Sequence, residues 1–167
     1  MDVEAFEKGY SALEAKDYKA AERGFSEAMK SINENHDRYN RLASFLGLAQ
    51  VLTANRNGLL LCRDAASSEA LEGDVFLNLA CAEWHAENRE RAVDAIIRGR
   101  KIDADHEQLV KACMLLDSRR RVFFPFLERE HLLNQLLGRI MRRPQVENPF
   151  HHLLFSNRAN SLILLKF

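Results

Sequence analysis

Apolar positions in this chain recur at three- and four-residue steps, the spacing of one face of an α-helix. Val3, Phe6, Tyr10 and Leu13 open the series. Asp17 stands where an N-cap is needed, ahead of a second helix with Tyr18, Ala21, Phe25, Ala28, Met29 and Ile32 on one side. The polar run Asn33 to Asp37 interrupts the pattern, and a third helix is expected from about Asp37 to Ala54. Asn55-Arg56-Asn57-Gly58 reads as a turn. A fourth helix is expected from about 58 to 70, carrying Leu59, Leu60, Cys62 and Ala66. Gly73 suits a left-handed position just past that helix, and Asp74 suits the N-cap of the next. Phe76, Leu79, Ala80, Ala82 and Trp84 mark a fifth helix. Asn88 is placed to cap a sixth, with Ala92, Val93, Ile96, Ile97 and Ile102, and a seventh spans about His106 to Ser118.

The pattern then changes. Pro125 in RRRVFFPFLERE lacks an N–H and pushes its predecessor out of helical geometry. An eighth helix is expected from about Glu128 to Arg143, with a stripe of Leu132, Leu133, Leu136, Leu137, Ile140 and Met141. Residues 144–167 are apolar in patches but aperiodic, and Pro144 and Pro149 interrupt their start. Two readings of this tail stand side by side: a segment that docks on the domain, and a run unrelated to the domain's own logic.

Helices of similar length arriving in pairs point to an internal repeat. Ala21 aligns with Leu59 and Ala92. In the same register Gly9 aligns with Gly47 and Ala80, Phe25 with Arg63 and Ile96, and Ala28 with Ala66 and Gly99. The clearest copies are EKGYSALEAKDYKAAERGFSEAMKSI and FLNLACAEWHAENRERAVDAIIRGRKIDAD. On these residues the chain resembles the tetratricopeptide repeat (TPR) family, whose unit is a helix–turn–helix. Leu46-Gly47 and Leu79-Ala80 match the family's Leu-Gly dyad, and Ala21, Ala28, Ala66 and Ala92 match its small second-helix positions. The family's terminal proline is absent, with Ala104 in its place in the third unit, and Leu59 stands where a small residue is usual. A helical bundle with chance spacing is the alternative.

The resemblance implies an all-α, TPR-like α-solenoid of about three helix–turn–helix repeats plus capping C-terminal helices. The repeats fall at about 2–36, 37–72 and 73–105, with capping helices over 106–143 and the irregular tail over 144–167.

Composition narrows the function classes. Only 7 Gly and 3 Pro are present, too few turn residues for a sandwich or barrel. The 24 basic and 24 acidic side chains cancel, which argues against a whole-molecule nucleic-acid binder. Their distribution is uneven: residues 1–100 hold 13 basic and 17 acidic side chains, net −4, and residues 101–167 hold 11 and 7, net +4. Arg119, Arg120, Arg121, Arg139, Arg142 and Arg143 form the basic patch.

No signal peptide or membrane-spanning run is visible. Cys62, Cys81 and Cys113 are spaced too widely for a zinc or redox motif, and they read as small buried thiols in a reducing cytoplasm. No catalytic or metal-ligating constellation and no cofactor motif appears; the neighbours His151 and His152 read as solvated.

In the TPR family the first helix of each unit lines a concave groove. Carried across, those positions are Val3, Phe6, Tyr10 and Leu13, then Arg41, Ser44, Leu48, Val51 and Leu52, then Leu77, Cys81, Trp84 and His85. Phe6, Tyr10, Leu77 and Cys81 stand where some family members clamp a terminal carboxylate with Lys, Asn and Arg, so that clamp is missing. The implied groove is apolar and aromatic, with Phe6, Tyr10, Leu13, Ser44, Leu48, Leu77, Cys81 and Trp84 as its partner-binding residues. The expected function is that of an adaptor or assembly factor holding a partner's peptide or amphipathic helix. A TPR-type chaperone of type III secretion is the alternative, followed by binding of acidic surfaces or nucleic acid through the basic patch. A second copy of the chain is a further partner, reached through the tail.

Overall fold

The structure, a computed structural model, describes residues 1–118, 148 and 150–155. Among these, seven α-helices and one 3-10 turn account for the regular structure, and there is no strand. The helices are α1 (Val3–Glu14), α2 (Tyr18–Lys30), α3 (Tyr39–Leu52), α4 (Asn57–Ser68), α5 (Gly73–His85), α6 (Arg89–Ile102) and α7 (Glu107–Ser118). The 3-10 turn is His151–Phe155. The expected eighth helix, and with it the capping role assigned to 128–143, lies outside the described residues.

Consecutive helices pair as α1 with α2, α3 with α4, and α5 with α6. Each even-numbered helix also packs on the odd-numbered helix that follows it, and α5 contacts both α3 and α7. Helix α5 therefore has both α3 and α7 as neighbours. Burial follows from this placement. Helix α5 is buried on nearly all sides from Val75 to Glu83, and α3 is almost as enclosed. Helices α2 and α6 bury one narrow stripe each, Ala21, Phe25 and Ala28 in α2 and Ala92, Ala95, Ile96 and Gly99 in α6. A helix apolar all round belongs in the middle of an assembly; one with a single stripe belongs at its outer face.

The three hairpins share one turn. Lys16, Ala54 and Glu87 each adopt a left-handed backbone, with φ of 62°, 65° and 63°. In each case the next N–H reaches back into the helix: Asp17 to Ala12 at 2.9 Å, Asn55 to Gln50 at 2.8 Å, Asn88 to Glu83 at 2.8 Å. This is the Schellman closure, which satisfies carbonyls that the helix end leaves open. The three turns fall in the register that aligns Ala21 with Leu59 and Ala92, so the sequence alignment corresponds to a repeated local geometry.

Close approach within the hairpins depends on missing side chains. A Cβ on Gly24 would sit 2.6 Å from Gly9 Cα, so α1 and α2 cross there backbone to backbone. A Cβ on Gly47 would meet Gly58 O and Cys62 Sγ, both at 2.7 Å, at the crossing of α3 and α4. Beside these crossings Phe6, Phe25 and Phe45 form a cluster with centroid separations of 5.4 to 5.5 Å. Each buried Phe contributes about 1.5–3 kcal/mol of transfer free energy.

Three local expectations need correction. Gly73 is not a left-handed C′ residue; it begins α5, and no glycine has positive φ among the described residues. Its lack of a side chain instead admits the His106 ring, since a Cβ would lie 2.5 Å from His106 Cδ2. Asp74 does not cap α5, because its carboxylate is taken by Arg41 Nη2 at 2.6 Å and His106 Nε2 at 3.0 Å. Asn88 precedes α6 without a side-chain cap bond; its Nδ2 donates to Glu83 Oε2 at 2.8 Å. For Asp74 the winning partners are tertiary; for Asn88 the partner lies in the preceding helix of its own hairpin. The expected turn Asn55 to Gly58 is also shifted, since Asn57 and Gly58 already belong to α4.

Candidate functional site

Helices α1 and α5 bring Tyr10, Cys81 and Trp84 to a face that Asn148 and residues 150–155 cover. Tyr10 is positioned by its rank in the apolar stripe of α1 and by edge contact with Phe45 at 5.8 Å. Its hydroxyl donates to the Leu154 carbonyl at 2.8 Å, and its ring meets Phe155 edge-on at 5.6 Å. Trp84, in the last turn of α5, is half-buried. Phe150 packs against it at 5.2 Å and 82°, and the Arg89 guanidinium lies 5.4 Å from its ring centre. Edge-to-face pairs of this kind are worth about 0.5–1.5 kcal/mol beyond their buried area.

The backbone of α5 is also used. Asn148 Nδ2 donates to the Cys81 carbonyl at 2.8 Å, while Asn148 Oδ1 accepts from Phe150 N–H at 3.0 Å. That second bond closes an Asx turn, which fixes how the segment enters its 3-10 turn. Phe150, Leu153 and Leu154 are buried, and the 3-10 turn contacts α5 and α7. The described part of the tail therefore docks on its own chain.

Of the eight expected groove residues, all but Trp84 are buried. Tyr10, Cys81 and Trp84 meet the segment directly. Phe6 belongs to the aromatic cluster behind it, and Leu13, Leu48 and Leu77 belong to the same continuous core. Ser44 is buried in a polar chain: its Oγ donates to the Arg41 carbonyl at 2.7 Å and accepts from Asn78 Nδ2 at 2.9 Å. Of the other first-helix positions, Val51 is buried, Val3 and Leu52 are partly buried, and His85 is exposed. The basic patch, Arg119, Arg120, Arg121, Arg139, Arg142 and Arg143, lies outside the described residues.

Asn78 escaped sequence reasoning. It is fully buried, and its Oδ1 has no hydrogen-bond partner among the described residues. The signal was present, a lone amide within the apolar run Val75 to Ala82.

Two charge clusters hold the face in shape. Arg41, 2% exposed, lies between Asp74 and Glu72, the latter at 3.3 Å from Nε. With His106 this ties α3, α5 and the start of α7. Burial pushes the Asp74 carboxyl upward, but the His106 hydrogen bond and the Arg41 charge outweigh it and hold it below its ordinary value. Glu72 is displaced the other way, upward, because burial outweighs Arg41. Between α4 and α5, Arg63 grips Glu83 with two bonds, at 2.7 and 2.9 Å. Burial opposes ionisation of Glu83 too, yet Arg63 and Asn88 lower its pKa. Burial raises the Cys62 and Cys81 thiols strongly, which keeps both protonated and unreactive. Among the described residues, no helix is long and apolar enough to cross a membrane.

Comparison with protein-family models, curated proteins and solved structures finds no match to this chain.

Proposed function

We propose that this chain is a protein-interaction adaptor or assembly factor: a TPR-like solenoid of about three hairpins whose concave face holds a peptide or short helix of a partner protein. The observation that carries the reading is the seating of Asn148 and residues 150–155 across α1, α5 and α7. It supports the reading because the chain's own segment is held there by one side-chain donor, one backbone acceptor and an aromatic contact. The repeated turns at Lys16, Ala54 and Glu87 support the solenoid arrangement. The chemistry of the face is that of recognition, not turnover: a phenol, an indole, a helix carbonyl and apolar walls bind shape and backbone. A reducing compartment such as the cytoplasm suits the buried thiols of Cys62 and Cys81.

The test is affinity capture with the parent chain and with Trp84→Ala, read by quantitative mass spectrometry. Trp84 is chosen because its partial exposure spares the core. Partners of the face should be depleted about tenfold or more by the substitution, the size expected for an aromatic anchor. Thermal melts should confirm that the variant stays folded. Identical capture by parent and variant would rule out this face. If reversal of Arg142 and Arg143 abolished capture instead, the functional surface would lie at the basic patch.

A further inference from the structure

We propose that Asn148 and residues 150–155 are the resting occupant of this face in cis, and that outside segments gain it by reproducing their pattern, Asn-x-Phe-x-x-Leu-Leu-Phe. The proposal rests on the reading of the face as a peptide site and adds its specificity and its control.

The pattern follows from what each residue does. Asn148 uses both ends of its amide, Oδ1 for Phe150 N–H and Nδ2 for the Cys81 carbonyl. An aspartate there keeps the turn and loses the donor; a glutamine is one methylene too long to close the same ring. Phe150 presents its ring at right angles to Trp84 and is fully buried. The Phe150 carbonyl then accepts from Leu153 N–H at 3.0 Å, which starts the tight turn. Leu153 and Leu154 of that turn are both buried, and the Leu154 carbonyl lies under the Tyr10 hydroxyl. Two hydrogen bonds to the helices thus fix register, one at each end, and three apolar side chains between them supply buried area. None of these contacts is between opposite charges, so binding should respond little to salt.

Occupancy in cis taxes every competitor. A segment that leaves the face about one time in twenty weakens an outside ligand about twentyfold, because only the open fraction binds. The chain is then a gated adaptor: a partner must offer the same anchors, or the segment must be drawn away.

The probe is a fluorescein-labelled peptide of residues 146–157, VENPFHHLLFSN, followed by anisotropy. It is titrated with the full-length parent and with the full-length double variant Phe150→Asp, Leu154→Asp, whose own segment cannot seat. The variant should bind the probe about tenfold or more tightly than the parent. An unlabelled peptide with Asp in place of Asn148 should compete about tenfold less well. Equal binding by parent and variant, or no binding by either, overturns the proposal. If the double variant fails to fold by circular dichroism, Asn148→Ala replaces it, since it removes only the amide, and about threefold tighter probe binding is expected. A parent that sediments as a dimer while the variant is a monomer would place the segment on a second copy and overturn occupancy in cis. Partner capture that depends on Trp84, with no binding of the probe, would leave the peptide-site reading standing and end this proposal alone.

Discussion

The hydroxyl of Tyr10, in the first helix, donates to the carbonyl of Leu154 at 2.8 Å across a separation of 144 residues. It joins the two ends of the described chain by a single buried bond. Tyr10→Phe removes the donor and keeps the ring against Phe45 and Phe155. The buried carbonyl left behind costs about 1–3 kcal/mol. Amide exchange across residues 150–155, read by mass spectrometry, should therefore accelerate about tenfold or more, with exchange in α3 and α5 unchanged. Unchanged exchange in 150–155 would show that the bond does not hold the segment.

The second prediction concerns the crossing of α3 and α4. Any side chain at Gly47 runs into Gly58 O and Cys62 Sγ. Gly47→Leu forces the pair apart and should cost roughly 1–3 kcal/mol or more. For a chain of this size that lowers the melting temperature by about 3 °C or more. A melting temperature equal to the parent's would contradict the crossing.

Ala54 should behave in the opposite sense. It is exposed, and its φ of 65° is unfavourable for any residue with a Cβ. Ala54→Gly relieves that cost at the expense of a more flexible unfolded chain, for a net gain of up to about 1 kcal/mol. A chemical-denaturation midpoint lower than the parent's would contradict the left-handed turn.

The helices themselves were legible in the sequence because their apolar stripes are long and periodic. The repeat was legible because Gly9 and Gly47, and Ala21 and Ala92, must be small wherever helices touch. The turns were not. Lys16 and Glu87 carry no trace of a left-handed conformation, which the helix ends impose on them through their backbone bonds. Asp74 and Asn88 read as caps because capping is a local rule; Arg41, distant in sequence, and Glu83, one turn back in the preceding helix, claim their side chains instead. Tyr10, Cys81 and Trp84 lie on α1 and α5, but the segment that covers them was hidden. The segment 148–155 has no helical period, and its logic is the single Asx turn at Asn148.

Protonation offers a fourth test. Asp74 is held below its ordinary pKa, so its contribution to stability is present above about pH 4 and lost as pH falls through the lowered folded value. Glu83 acts in the same direction, and Glu72, displaced upward, acts against them. Asp74→Asn leaves Arg41 short of a buried counter-charge and should cost about 3 kcal/mol near neutral pH. The gap in melting temperature between parent and variant should narrow as pH falls below about 4 and on through the lowered folded value. A gap that stays constant would mean that the carboxylate's charge contributes nothing.

The central claim, that a peptide segment sits on this face, is tested most directly by the fluorescence of Trp84, because the chain holds 1 tryptophan and Phe150 packs edge-on against it. Emission and acrylamide quenching are compared for the full-length parent and for Phe150→Asp. The account predicts a red-shifted emission maximum and roughly twofold or greater quenching in the variant, as water reaches an indole that the segment had covered. An unshifted spectrum with equal quenching would mean that the face is bare in solution, and would contradict the account.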